Sequence, residues 1–68
     1  MIKHKKKFGI YHWDTFDNST ILIDEADTYK ICEEKVKKRY KSRINNKGAD
    51  TVEIVNLKGD VLKSFSVC

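Results

Sequence analysis

His12, Trp13 and Asp14 stand in line, and an alternating strand would put the imidazole and the carboxylate on one face. Such a pair can serve as an acid–base couple or as two ligands of a metal. A metal site needs a third and usually a fourth ligand, and no cysteine or histidine cluster is in register to supply them. The ordinary structural reading is a histidine at a strand end beside a polar turn. Cys32 is placed near the start of a helical pattern, where a dipole can activate a thiol. It also shares an apolar stripe with Val36 and Tyr40, and a free cysteine in that setting acts as a small hydrophobe. Cys68 ends the sequence and is expected to be exposed and oxidisable. Asp14, Asp17, Asp24, Glu25 and Asp27 give residues 14–27 a net charge of −5. That stretch lacks the spacing and glycine of a calcium loop, so a solvated turn and a helix cap explain it. No nucleophile–base–orienter set and no phosphate-binding glycine loop is present. The expectation is a non-enzyme with no metal, no cofactor and no small-molecule substrate.

The basic residues carry a stronger signal. Residues 30–47 hold eight Lys or Arg against two Glu, and residues 1–13 have a net charge of +4. A basic helix with a basic arm is the electrostatic footprint of nucleic-acid binding, which singles out Lys5, Lys6, Lys7, Lys37, Lys38 and Lys41. Aromatic side chains on an open sheet can also stack on bases. The chain has 12 Lys and 2 Arg, however, and arginine is the usual reader of bases and phosphates. Lysines on the outer face of a helix are also simply where solvated charge belongs.

Apolar residues on both faces of the strands favour a third class. Tyr11, Trp13, Val55, Leu57 and Leu62 are expected opposite the helix, and one helix cannot cover both faces of a sheet. An exposed aromatic patch marks a protein interface. A self-associating interaction module, expected as a homodimer or with a protein partner, is therefore preferred. Its contact residues would be Tyr11, Trp13, Val55 and Leu62. A nucleic-acid-binding accessory protein is the alternative.

Five elements must position these residues. Residues 7–15 alternate, with Phe8, Ile10 and His12 on one face and Gly9, Tyr11 and Trp13 on the other. Asp17-Asn18-Ser19 supplies turn chemistry, and Thr20 to Asp24 completes a hairpin. Asp27 or Thr28 caps a helix predicted over Thr28 to Ile44, with Tyr29, Cys32, Val36, Tyr40 and Ile44 as its apolar stripe. Asn45-Asn46-Lys47-Gly48 is its expected stop. Strands over 51–57 and 61–67 flank the turn Lys58-Gly59-Asp60, and Lys63 on the apolar side of the last one argues for an edge position. The predicted fold is α+β in the order β-β-α-β-β: a four-stranded, mainly antiparallel sheet with one amphipathic helix on one face. Its core would hold Phe8, Ile10, Ile21 or Leu22, Ile23, Cys32, Val36, Tyr40, Val52, Ile54, Phe65 and Val67. Residues 1–7 read as a basic, flexible arm and residues 8–68 as one small domain.

This order, with Asp27-Thr28 opening the helix, Gly48-Ala49-Asp50 before Val52-Glu53-Ile54-Val55, and Gly59-Asp60-Val61 at the last turn, resembles the small bacterial proteins grouped as the DUF2188 domain. The resemblance spans most of residues 8–67. It implies the same fold and no mechanism, since that family has no known function.

Size and composition set the outer limits. A chain of 68 residues is one small domain, expected to bury about 60% of its unfolded surface. The longest purely apolar run, Ile21-Leu22-Ile23, is far too short to cross a membrane. No apolar segment follows the basic N-terminus as it would in a signal peptide. With two widely spaced cysteines as well, a cytoplasmic location is expected.

Overall fold

The computed structural model describes residues 3–45 and 47–67. Met1 and Ile2 of the basic arm, Asn46 of the expected helix stop and the Cys68 thiol lie outside the described residues. The elements are β1 (Phe8–Asp14), β2 (Ser19–Ala26), α1 (Tyr29–Tyr40), a single 3-10 turn (Lys41–Arg43), β3 (Asp50–Asn56) and β4 (Val61–Val67). The strands form one antiparallel sheet in the order β2-β1-β3-β4. The two hairpins therefore join through β1 and β3, and the helix packs on one face. This is the α+β arrangement that the alternation predicts.

The period-two pattern explains the core. Ile10 pairs with Ile54 and His12 with Val52 across β1 and β3, and Val52 pairs with Phe65 across β3 and β4. These residues face α1, whose Cys32, Val36 and Tyr40 recur every fourth position and so stack on one side. Ala26 and Val67 complete the buried cluster, and Phe8, Ile23, Tyr29 and Ile44 pack against it. Ile21 is 54% exposed, and Leu22 lies opposite Tyr11 on the face away from the helix and outside the buried cluster, so neither residue fills the core place expected of one of them. Ile21 pairs with His12 at the far end of the outermost strand.

Both outer strands bulge. On β2 the register passes from Asp24 opposite Ile10 to Leu22 opposite Tyr11, leaving Ile23 as the extra residue. On β4 it passes from Lys63 opposite Ile54 to Val61 opposite Val55, leaving Leu62 extra. A bulge bends and twists an edge and spoils it as a template for another strand. The β4 bulge also transfers Val61 to the face opposite the helix, although plain alternation assigns it to the same side as Phe65. Lys63 does lie on an edge strand. It points toward the helix side, where its Nζ lies 3.4 Å from Glu33 Oε2 and 5.4 Å from the Phe65 ring centroid.

Thr28 is the N-cap, and its hydroxyl accepts the Ile31 N–H at 3.2 Å. The helix ends at Tyr40 rather than Ile44. Lys41 turns to φ 39°, and Ile44 is drawn into an isolated antiparallel bridge with Val67. The Asn45 N–H then bonds the Ser66 carbonyl at 2.9 Å. A sheet contact thus competes with the last helical turn and wins. At the β3–β4 turn, Gly59 takes φ 91°, the conformation for which the glycine was expected.

Candidate interaction surface

The face away from the helix carries Gly9, Tyr11 and Trp13 from β1, with Thr51, Glu53 and Val55 opposite them on β3. It is less open than the sequence suggests. Tyr11 is 2% exposed and Val55 is 7% exposed. Neither stands free as a contact, because the segment before β1 folds back over the sheet. The His4 N–H donates to the Tyr11 hydroxyl at 3.1 Å, and His4 Nδ1 lies 2.9 Å from the same oxygen. The two rings meet edge-on with centroids 5.7 Å apart. Lys5 and Lys6 then donate their backbone N–H groups to Glu25 Oε1, each at 2.8 Å. Those two bonds hold the Glu25 carboxyl below its usual range. The residues expected as a flexible arm are thus tied down from His4 to Lys6. His4 itself is buried, and its Nε2 has no hydrogen-bond partner among the described residues.

Between this segment and the β3–β4 turn lies a cleft of about 330 Å³, walled by Tyr11, Val55, Leu57 and Val61. Leu57 and Val61 are about half exposed. The turn beside them is well ordered by Asn56, whose side-chain oxygen accepts the N–H groups of Lys58 and Asp60 at 2.9 and 3.0 Å. At the other end of the face Trp13 is 41% exposed, opposite Thr20 and Thr51. Leu62 is exposed at the β4 bulge and does not line the cleft.

Phe16 has the largest exposure of any large hydrophobic residue described, at 93%. Strand alternation does not single it out. Its signal was available, since an aromatic residue inside an Asp-Thr-Phe-Asp-Asn turn has no strand face on which to be buried. The turn is preformed: Asp14 Oδ1 accepts the Phe16 N–H at 2.9 Å and the Asp17 N–H at 3.4 Å. Asn18 closes it with φ 51°.

The lysines of the nucleic-acid reading do not form one surface. Lys5 and Lys6 run beside Glu25, which pairs with Gly9 on the face away from the helix. Lys37 and Lys38 lie on the helix and Lys41 follows it, on the other side of the sheet. Lys7 is exposed just before β1. Lys37 also lies 3.8 Å from Glu33, one helical turn earlier.

The groups with chemical potential are otherwise engaged. His12 meets Asp50 rather than Asp14. Its Nε2 is 3.1 Å from Asp50 Oδ2, and its Nδ1 is 2.8 Å from the Tyr40 hydroxyl. A neutral imidazole satisfies both bonds by donating from Nε2 to the carboxylate and accepting the tyrosine proton at Nδ1. Asp50 Oδ1 takes the Thr15 N–H at 3.2 Å and the Thr15 hydroxyl at 3.1 Å. This network joins the helix end, β1, the first turn and β3, and none of its residues lines the cleft beside the β3–β4 turn. Cys32 is fully buried, and burial pushes its thiol pKa up, the wrong direction for a nucleophile. The acidic residues do not converge. Asp24 lies 3.1 Å from Lys35, Glu25 caps the arm and Asp14 caps a turn. No group of three metal-ligating side chains occurs among the described residues.

The Asp50 network has a pH signature. The hydrogen bond from His12, and then those from Thr15, hold the Asp50 carboxyl below its usual 3.8. A depressed folded-state pKa contributes stability above the unfolded value and loses it as the pH falls through the folded value. Asp50→Asn is therefore expected to flatten the acid limb of a plot of urea midpoint against pH. Parallel acid limbs for parent and variant would contradict this.

No family model, curated protein or solved structure matches the chain. The geometry alone carries the functional argument.

Proposed function

We propose that this chain is a small, non-enzymatic protein-interaction module that self-associates through the face of its sheet opposite the helix. One observation carries the reading: apolar side chains stand exposed around that face, at Trp13, Leu57 and Val61. The bulges in β2 and β4 support it from another direction. Two blunted edges disfavour strand addition, which leaves the face as the route to a partner. The charged groups with hydrogen-bond geometry serve the fold, which is why no catalytic role is given to them. No helix among the described residues is long and apolar enough to cross a membrane. A reducing cytoplasm suits the buried free thiol of Cys32.

Trp13→Ala tests the reading. Tryptophan is enriched among interface hot spots. The variant is expected to weaken self-association at least about tenfold, or about 1.4 kcal/mol, in sedimentation equilibrium with reductant present. Its far-UV circular dichroism should match that of the parent. Unchanged association would sink the idea.

A second reading, a nucleic-acid-binding accessory role, rests on the exposed Lys37, Lys38 and Lys41 of the helix side. Duplex or single-strand binding that survives from about 50 to about 200 mM salt would place it first. Binding that collapses over that range reports only a basic protein.

A further inference from the structure

The cleft and the Phe16 turn are at opposite ends of one strand. β1 begins at Phe8, opposite Asn56 and beside the β3–β4 turn, and ends at Asp14, where the Phe16 turn starts. Six strand steps separate the two, roughly 20 Å at about 3.3 Å per residue. A copy cannot fill its own cleft with its own turn. The two features nevertheless match in chemistry. The cleft has apolar walls at Val55, Leu57 and Val61, with Lys3 and Lys58 among its lining residues and Glu53 as its one acid. The turn presents an aromatic side chain with Asp14 and Asp17 on either side of it. At about 330 Å³ the cleft is at the lower end of the range for bound organic groups. His4 lines it with a buried ring nitrogen that has no hydrogen-bond partner among the described residues.

We propose that the β1–β2 turn of one copy seats in the cleft of the next, with Phe16 between Leu57 and Val61 and Asp17 facing Lys58. This rests on the self-association reading and names its contact. Trp13, at the base of the same turn, extends the contact along the sheet. The contact joins two different patches, so two copies close as a dimer where each seats its turn in the other's cleft, and add into a ring or an open chain where only one contact forms at a time.

Sedimentation velocity on the full chain, with reductant, separates the possibilities. Parent protein should associate as concentration rises, stopping at a dimer where the two contacts are reciprocal and growing beyond it where they are not. Phe16→Ser removes the plug, and Leu57→Glu places a repelling charge in the cleft. Each alone is expected to be monomeric where the parent associates. Their equimolar mixture should form a 1:1 heterodimer and nothing larger, since it combines one intact plug with one intact cleft. Lys58→Glu replaces Leu57→Glu as the cleft partner if circular dichroism shows the latter unfolded. An associating parent with unaffected variants, or a mixture that stays monomeric, overturns the plug and leaves the open-face reading standing. A parent that is monomeric throughout overturns both.

Discussion

Ile54→Ala leaves the domain largely unfolded at 25 °C in dilute buffer. Ile54 is fully buried on β3, an inner strand, between Ile10 and Lys63 and within the cluster that packs under the helix. Truncating a buried isoleucine costs about 2–5 kcal/mol, since the lost transfer energy is joined by the cavity that remains. A domain of this size has about 3–5 kcal/mol in total. The cost is therefore comparable with the whole stability, and the variant should lack a cooperative urea transition. The same truncation at Leu57, which is about half exposed, should leave the transition nearly where it was. A well-folded Ile54→Ala protein with a midpoint near that of the parent would refute this assignment of the core.

Gly48→Ala is expected to be the most damaging substitution outside the core. A methyl group at Gly48 would overlap the backbone of Val67, at its nitrogen, carbonyl carbon and oxygen. A side chain in the way can change rotamer, but backbone cannot. Val67 is fully buried and paired with both Asp50 and Ile44. Relief therefore requires the end of β4 or the 47–49 segment to move, breaking the bridge that ends the helix early. Forced backbone shifts of this kind cost about 1–3 kcal/mol. At about 4–8 °C per kcal/mol for a domain this small, the melting temperature should fall by about 5 °C or more. Hydrogen exchange should accelerate at Val67 while the protection of β1 is kept. An unchanged melting curve would mean that this glycine is incidental.

Local patterns carried much of the fold into the sequence. The alternation of Phe8, Ile10 and His12 marked the helix-facing side of β1, and the four-residue spacing of Cys32, Val36 and Tyr40 marked the side of the helix that meets it. Thr28 marked the cap and Lys63 an outer strand. What escaped were features whose cause lies elsewhere in the chain. The β2 and β4 bulges exist only in register with their neighbours, so Val61 looked as if it faced the helix. Tyr11 looked open because nothing near it in sequence shows that His4 will bond its hydroxyl. His12 looked like a partner for Asp14, whereas Asp50 reaches it from 38 residues away. The helix looked one turn longer because the claim of Val67 on Ile44 is a contact between distant segments. Of the expected contact residues, Trp13 and Leu62 are exposed and Tyr11 and Val55 are buried. The Phe16 turn and the cleft arise from the loops, where strand periodicity carries no signal.

In the proposed assembly, copies of this chain meet through the face of the sheet opposite the helix. Backbone amide spectra of the unmodified protein, recorded from dilute to concentrated solution with reductant, test it residue by residue. The expected result is a saturable set of shifts at Trp13, through the Asp14–Ser19 turn and across Leu57 to Val61, with the amides of Lys37, Lys38 and Lys41 still. Shifts confined to the helix or to the outer edges of β2 and β4, or no shifts at any concentration, would contradict it.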